Sequence, residues 1–208
     1  MEINNVLSID IDVLFKDHEK FQKYFDTDLT PAQSWQVVKW KNELMNLGLD
    51  FEYEEKSLMK LLLLILKKCK KCYVKSIKEH DEIIKVLEQY NVRDCCLYNI
   101  DAHHDITYGN EDDELNLENW VKHGYLKGLI KDYTWICRPD SNCPSTQPIY
   151  YGIQLINTFD VNKLPDFDLV VVCTSKHFTP IDYWCLNKQI YDFVKENSSC
   201  YDGTIINK

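Results

Sequence analysis

Three short segments of the chain carry aspartate and histidine residues at spacings that suit metal binding. Ser8-Ile-Asp10-Ile-Asp12 places two carboxylates two residues apart, and on a strand such residues share one face. Asp101-Ala-His103-His104-Asp105 repeats ligand-type residues at every second position, and His80 stands in a segment of its own. Together the segments offer four carboxylates and two imidazoles as candidate metal ligands: Asp10, Asp12, His80, Asp101, His103 and Asp105.

This set of side chains predicts a site for two divalent cations. Mixed nitrogen and oxygen ligands suit Mn, Fe, Co or Zn, and the majority of carboxylates favours a harder ion such as Mn²⁺. Four crowded carboxylates would raise one another's pKa, and the charge of two cations would offset them. Two neighbouring ions can lower the pKa of a shared water and supply hydroxide at neutral pH. The alternative is that these acids only cap loops or face solvent.

The candidate ligands come where predicted strands end. Apolar patterns predict strands over 5–15, 72–77, 94–100, 133–137 and 168–173, with a further candidate at 151–156. Helical spacing predicts helices over 32–47, 57–68, 81–90, 118–130 and 180–196. The alternation indicates one α/β domain over 1–208, a three-layer sandwich with a mainly parallel sheet and a tail at 198–208. Ligands of such sheets bind at the carboxyl ends of the strands.

Composition narrows the function classes. With 45% hydrophobic residues the chain can bury a core, and its net charge of −9 disfavours a nucleic-acid partner. The longest apolar run has six residues, 61–66, whereas a membrane span needs about 20. We expect a cytoplasmic protein whose nine cysteines are reduced, with Cys69 and Cys72 as helix-face thiols rather than zinc ligands. The acidic run at 111–114 either attracts a cationic substrate or is a solvated loop.

The motifs resemble those of a known superfamily. Asp101-Ala-His103-His104-Asp105 is similar to the DAHxD motif of the ureohydrolases, the arginases and agmatinases, and Ser8-Ile-Asp10-Ile-Asp12 resembles their S-x-D-x-D strand. That strand comes late in arginases and first in this chain, so the order of the metal-binding strands is permuted. The peptide arginases and a related arginase-like family resemble this order. Three further segments of this chain are also similar to segments of those families: Lys78-Glu79-His80-Asp81-Glu82, Glu118-Asn119-Trp120 and 174–180.

The resemblance implies an arginase-like fold and a binuclear manganese centre. His80, Asp10, Asp101 and Asp105 would hold one Mn²⁺, His103 and Asp12 the other, with Asp10 and Asp101 bridging. The implied activity is that of an amidinohydrolase. By this resemblance the two ions would supply hydroxide for hydrolysis of the guanidinium of arginine, free or in a peptide, to ornithine and urea, with Asp105 among the catalytic residues.

Six further residues have a chemical or a structural interpretation. His123 shares a helix face with Asn119 and could pass a proton to the leaving amine, or it is an exposed helical histidine. Asn119 orients the substrate or caps the helix. Ser175 and His177 follow the strand at 168–173 and are candidates for substrate binding. His104, in the variable position of the Asp101–Asp105 segment, and Trp120, which follows Asn119, are expected to be structural.

Two other classes of function remain open from the sequence. The chain could be a non-catalytic, metal-containing binding or regulatory protein. It could also hydrolyse another C–N bond, of the agmatine, formimino or acetyl-lysine type. In the leading interpretation the partner is a small cationic substrate or an arginine-containing peptide, without nucleic acid or membrane, and the sequence does not address oligomeric state.

Overall fold

Six parallel strands form one sheet in the computed structural model, which describes residues 2–15, 20–21, 23–26, 28–106, 114–137, 154–156 and 161–199. The strand order is β2-β6-β1-β3-β4-β5, and each neighbouring pair is parallel. The predicted tail lies outside the described residues from residue 200 onward, as does the acidic run before Glu114. The strands are β1 (Asn5–Asp10), β2 (Tyr73–Ile77), β3 (Cys95–Ile100), β4 (Ile130–Ile136), β5 (Gln154–Ile156) and β6 (Leu169–Cys173).

Helices cover both faces of the sheet, which confirms the predicted three-layer α/β sandwich with a parallel sheet. The helices are α1 (Pro31–Met45), α2 (Glu55–Lys68), α3 (Ile83–Gln89), α4 (Trp120–Leu126) and α5 (Cys185–Asn197). One core lies between the sheet and α1, α2 and α5, and the other between the sheet and α3 and α4. Successive side chains of β1 point to opposite faces of the sheet, so the strand contributes to both cores: Leu7 and Ile9 pack in the first core and Val6 in the second.

Strand β1 ends at Asp10, whereas the sequence pattern predicted a strand to residue 15. Asp10 Oδ1 accepts a hydrogen bond of 3.1 Å from the Asp12 N–H and starts a 3-10 helix at Ile11–Leu14. All four residues of this turn are buried, so its apolar side chains do not need the alternation of a strand. Asp10 and Asp12 therefore come together through a turn and not through a shared strand face.

Several helix boundaries also differ from the predicted ones. Helix α4 ends at Leu126 instead of residue 130, because Gly128 adopts a left-handed conformation (φ +64°) and the chain enters β4 at Ile130. Helix α1 ends before Asn46, which is left-handed, rather than at residue 47. The 3-10 turns His80–Glu82 and Ile181–Tyr183 precede α3 and α5, so both helices begin later than predicted, and a fourth 3-10 turn spans Val161–Lys163.

The cysteines follow the prediction in part. Six described cysteines lie outside any disulfide, as predicted. Cys69 and Cys72 are buried, but α2 ends at Lys68 and β2 begins at Tyr73, so both lie in the connection between these elements and not on a helix face as predicted. Cys137, just after β4, is disulfide-bonded, so the prediction of reduced cysteines is wrong at this position. The sequence count cannot show which thiols the fold brings together. In the described part of the chain, no helix is both long enough and apolar enough to cross a membrane.

Candidate metal centre

The structure brings all six predicted ligand residues together at the carboxyl edge of the sheet. Asp10 ends β1, Asp12 lies in the turn after it, and His80 begins the 3-10 turn after β2. Asp101, His103 and Asp105 follow β3, which is paired with β1. Because parallel strands present their carboxyl ends at one edge, residues far apart in the sequence meet there.

A single nitrogen of His80 lies among three carboxylates. Its Nδ1 is 3.1 Å from Asp10 Oδ2, 3.0 Å from Asp101 Oδ2 and 2.9 Å from Asp105 Oδ2. One ring nitrogen can donate one hydrogen bond at most, so hydrogen bonding alone does not account for three such neighbours. Bonds of about 2.0–2.2 Å from a shared cation would place neighbouring ligand atoms about 3 Å apart, and the observed spacing agrees with this.

A second cluster adjoins the first through Asp101. His103 Nδ1 lies 3.0 Å from Asp12 Oδ2 and 3.7 Å from Asp101 Oδ1, while the other oxygen of Asp101 faces His80. The side chain of His103 is 30% exposed and that of His80 only 3%, so the second cluster lies nearer to solvent. The two oxygens of Asp101 thus belong to different clusters.

The electrostatics of the centre follow from burial and crowding. Burial, together with the Asp10 and Asp101 charges, raises the pKa of Asp12 well above its ordinary value. Burial and Asp101 raise the pKa of Asp105 to about 7. Burial would lower the pKa of His103, but Asp12, Asp101 and Asp105 outweigh it and raise that pKa to about 10. The site therefore needs positive charge, which protonated imidazoles supply when no cation is bound.

The imidazole of His80 is subject to the same two influences. Burial would lower its pKa, but the surrounding anionic groups raise it well above the ordinary value. In Asp101, burial acts to raise the pKa, and the hydrogen bond and charge of His80 outweigh it and lower the pKa.

One oxygen of the centre lacks a hydrogen-bond partner. Asp12 Oδ2 is buried, and no donor among the described residues reaches it with hydrogen-bonding geometry, although His103 Nδ1 is close. A buried carboxylate oxygen without a partner is costly, and a cation would satisfy it. Ligand atoms of three trios lie within 4.8 Å of one another: Asp12, Asp101 and His103; His80, Asp101 and Asp105; and Asp10, His80 and Cys173. These buried clusters could hold metal ions.

Neighbouring side chains fix the orientation of the candidate ligands. Ser8 Oγ is hydrogen-bonded to His80 Nε2 at 2.7 Å, and Trp120 Nε1 donates to Asp105 Oδ2 at 2.5 Å. Asn99 Nδ2 donates to Asp101 Oδ2 at 2.9 Å, and Trp135 Nε1 donates to the Asp101 carbonyl at 3.0 Å. Metal-binding histidines and carboxylates commonly have such outer partners. Trp120 is fully buried as expected, but its hydrogen bond to Asp105 was not predicted.

Sequence reasoning assigned no role to Ser8, Asn99 or Trp135. A signal existed for Ser8, which lies two residues before Asp10 and shares its face of β1. The same spacing existed for Asn99, which lies two residues before its partner Asp101. For Trp135 no comparable signal existed, because its contact with the Asp101 carbonyl depends on how β3 and β4 pair.

Of the other predicted site residues, Ser175 reaches the centre. Its hydroxyl donates a short hydrogen bond to Asp10 Oδ2, and the residue is buried. Ser175 (φ +44°) and Asp105 (φ +55°) both adopt the left-handed conformation, which is costly for residues other than glycine. Such strain is concentrated at functional sites in proteins.

Asn119, His123 and His177 lie in different surroundings. The buried Asn119 amide donates to the Glu114 carbonyl at 2.9 Å and accepts from the Asn116 N–H at 2.9 Å, so it holds its own loop. His123 is half-buried in α4. His177 Nδ1 is 3.4 Å from Glu79 Oε2. Their roles toward a substrate stay predictions.

His104 has the structural surroundings that were expected for it. Its Nδ1 accepts a hydrogen bond of 3.0 Å from the Ile106 N–H, and its carbonyl accepts one from the Tyr133 hydroxyl. Burial lowers the pKa of this imidazole, so it is neutral at pH 7.

Comparisons of the chain with protein-family models, curated proteins and solved structures find no match. The geometry of the centre and the sequence motifs therefore carry the functional argument.

Proposed function

We propose that this chain is an arginase-like hydrolase with two divalent cations, preferentially Mn²⁺, that cleaves a C–N bond of an amidine. The proposed substrate is the guanidinium group of arginine, free or within a peptide, and the products are ornithine and urea. The observation that carries the proposal is the position of Asp101, whose two oxygens face two separate imidazole–carboxylate clusters. A carboxylate in this position would keep two cations close enough to share a water, as two-metal hydrolases do.

The residues divide into ligands and the groups that orient them. His80, Asp10 and Asp105 would hold one cation and His103 and Asp12 the other, with Asp101 between them and Asp10 as the second proposed bridge. When bound, the cations supply one contribution, the lowering of the pKa of a water that they share. Ser8 keeps Nδ1 of His80 directed at the carboxylates. Trp120 donates a hydrogen bond to the Asp105 carboxylate and fixes its orientation.

The substrate class is supported by charge and by the open side of the centre. The cluster with His103 is the more exposed one, so we place substrate entry on that side. The ring of Phe178 lies 4.8 Å from the ring of His103 and offers an apolar wall there. A net charge of −9 favours a cationic substrate such as a guanidinium. We propose His123 as the donor of the proton to the leaving amine and His177 and Asn119 as substrate contacts.

Urea release tests the proposal directly. The chain is loaded with Mn²⁺ and offered arginine, agmatine and an arginine-containing peptide, and urea and bound manganese are measured. The double variant Asp10→Asn/Asp101→Asn should lose both metal and activity. Asp168→Asn is the matched control, because Asp168 accepts from the Asn4 and Asn5 N–H groups at the opposite end of β1 and should leave both unchanged.

Each outcome of this assay has one meaning. Urea from one of the three compounds supports an amidinohydrolase and identifies its substrate. Two bound ions without urea from any compound would overturn the catalytic proposal and favour a metal-containing binding protein. Unchanged metal content in the double variant would overturn the ligand assignment.

A further inference from the structure

Cys173 is a thiol beside the His80 cluster. It ends β6, whose other residues are Leu169 and three valines, and it is fully buried. In the sheet its backbone is in register with Asp10 on one side and with Ile77 on the other. The carboxyl ends of β1, β6 and β2 thus place a carboxylate, a thiol and the turn that begins with His80 next to one another.

Side-chain geometry directs the thiol toward the ligands. Ligand atoms of Asp10, His80 and Cys173 lie within 4.8 Å of one another. The hydroxyl of Ser175 lies 3.4 Å from Cys173 Sγ and donates to Asp10 Oδ2. The sulfur is therefore one hydroxyl group away from a carboxylate oxygen that itself contacts His80 Nδ1.

The sulfur makes the two clusters chemically unequal. The trio of Asp12, Asp101 and His103 offers only oxygen and nitrogen atoms, whereas the His80 side adds sulfur. Carboxylate-rich sites suit Mn²⁺, and thiolate ligands select softer cations such as Zn²⁺. A buried cysteine in a valine-rich strand also packs well as a small apolar residue, so an experiment must separate ligand from packing.

We infer that Cys173 is a metal ligand at the His80 cluster, and that this cluster takes a thiophilic cation such as Zn²⁺ or Co²⁺ while the His103 cluster takes the harder ion. This inference rests on the proposed two-cation centre and replaces Mn²⁺ by a softer ion at one of its two positions. On binding, the thiol proton leaves to the solvent and the sulfur bonds to the cation as a thiolate. The expected centre is heterobinuclear instead of the all-manganese centre that the sequence resemblance implies.

Spectroscopy of the loaded protein tests the inference without an activity assay. The protein loaded with Co²⁺ should show a sulfur-to-cobalt charge-transfer band in the near ultraviolet, and Cys173→Val should abolish that band. Valine matches the other residues of β6 and keeps the strand packed. Cys72→Ala is the matched control, since Cys72 is also a buried cysteine outside any disulfide but lies just before β2, at the end of that strand away from the ligands. This control should keep the band.

X-ray absorption of the zinc-loaded wild-type protein gives a second measurement that needs no variant. A sulfur neighbour at about 2.3 Å from zinc supports the inference. Two bound ions without a sulfur neighbour and without a charge-transfer band would overturn it and leave the proposed hydrolase intact. A band that persists in Cys173→Val would also overturn it. Failure to bind any cation would instead overturn the proposed metal centre itself.

Discussion

Ser8 and His80 are 72 residues apart in the chain, and their side chains form a 2.7 Å hydrogen bond that holds the imidazole with Nδ1 toward three carboxylates. The contact joins β1 to the turn after β2, although β6 lies between these strands in the sheet. The ring of Trp120 packs 4.9 Å from the His80 ring. Orientation of this histidine is therefore imposed from two sides.

Replacement of Ser8 tests whether this orientation matters for metal binding. We expect Ser8→Ala to weaken cation binding about 10- to 100-fold, because the imidazole loses the partner that fixes its tautomer and direction. Equilibrium dialysis with Mn²⁺ or Co²⁺ measures the change. Ser57→Ala is the control: Ser57 donates to Glu54 Oε2 at 2.5 Å in the first turn of α2 and should leave affinity nearly unchanged. Equal affinities in the two variants would contradict the role of Ser8.

Trp120→Phe removes one hydrogen bond of the centre and keeps an aromatic ring. The change leaves Asp105 without the 2.5 Å hydrogen bond from the indole and lets the carboxylate rotate. We expect weaker binding of the cation on the His80 side and a loss of about 1–3 kcal/mol in unfolding free energy. Titration calorimetry should report a larger loss of affinity at one site than at the other. Uniform weakening of both sites would argue for general loosening of the core.

Without metal, the protein should lose stability as the pH rises toward neutrality. Asp105 has an ordinary pKa of 3.8 and a folded value of about 7, so the stability that its neutral form contributes is present below 3.8 and lost as pH rises through about 7. His103 acts in the same direction, and its contribution is lost as pH rises through about 10. Urea unfolding with a chelator, at about pH 5 and about pH 8, should give the lower free energy at the higher pH.

Metal loading should reverse this dependence. Cations compete with protons for the carboxylates and imidazoles, so affinity and metal-dependent stabilisation should both increase over the same pH range. Calorimetry in two buffers of different ionisation enthalpy counts the protons released. Binding that releases no protons would contradict the assignment of His103 as a ligand.

Asn187 provides a test of the scaffold beneath the centre. Its buried amide on α5 donates to the carbonyls of Val172 at 2.8 Å and Ile77 at 3.3 Å, near the ends of β6 and β2. We expect Asn187→Ala to cost about 2–3 kcal/mol, because buried carbonyl groups lose their donor. The exposed Asn197, whose side-chain amide donates to the Phe193 carbonyl within α5, is the control, and Asn197→Ala should change stability by less than about 0.5 kcal/mol. Urea unfolding of both variants measures the difference.

The sheet and most of the candidate ligands could be predicted from local patterns. The β6 run is apolar at each position, as expected for a central parallel strand, and the Asp and His spacing marked the residues that meet after β1 and β3. The end of β1 could not be predicted. Ile11, Val13 and Leu14 suit either an extended strand or a buried turn, and the choice depends on the Asp10 carboxylate accepting from the Asp12 N–H.

The features of the site that could not be predicted depend on contacts between distant segments of the chain. The part that Ser8 plays depends on where the turn after β2 lies, and the position of Cys173 depends on β6 lying between β1 and β2. Asn119 has a residue type that suits substrate binding, but both ends of its amide are engaged in the loop at Glu114 and Asn116. In contrast, the end of α4 had a local signal: Gly128 marks it, but the predicted helix extended past this glycine to residue 130.

In the proposed centre, the shared carboxylate of Asp101 would couple the binding of one cation to the binding of the other. Trp135 donates a hydrogen bond to the backbone carbonyl of Asp101, and Asn99 donates one to Oδ2 of its carboxylate. The carboxylate therefore has little freedom to rotate toward one cluster and away from the other. A cation on one side would fix the carboxylate plane for the other side and would also draw charge away from the second oxygen. By linkage, each ion would then change the affinity of the other by the same factor, and occupancy of the two clusters would be interdependent.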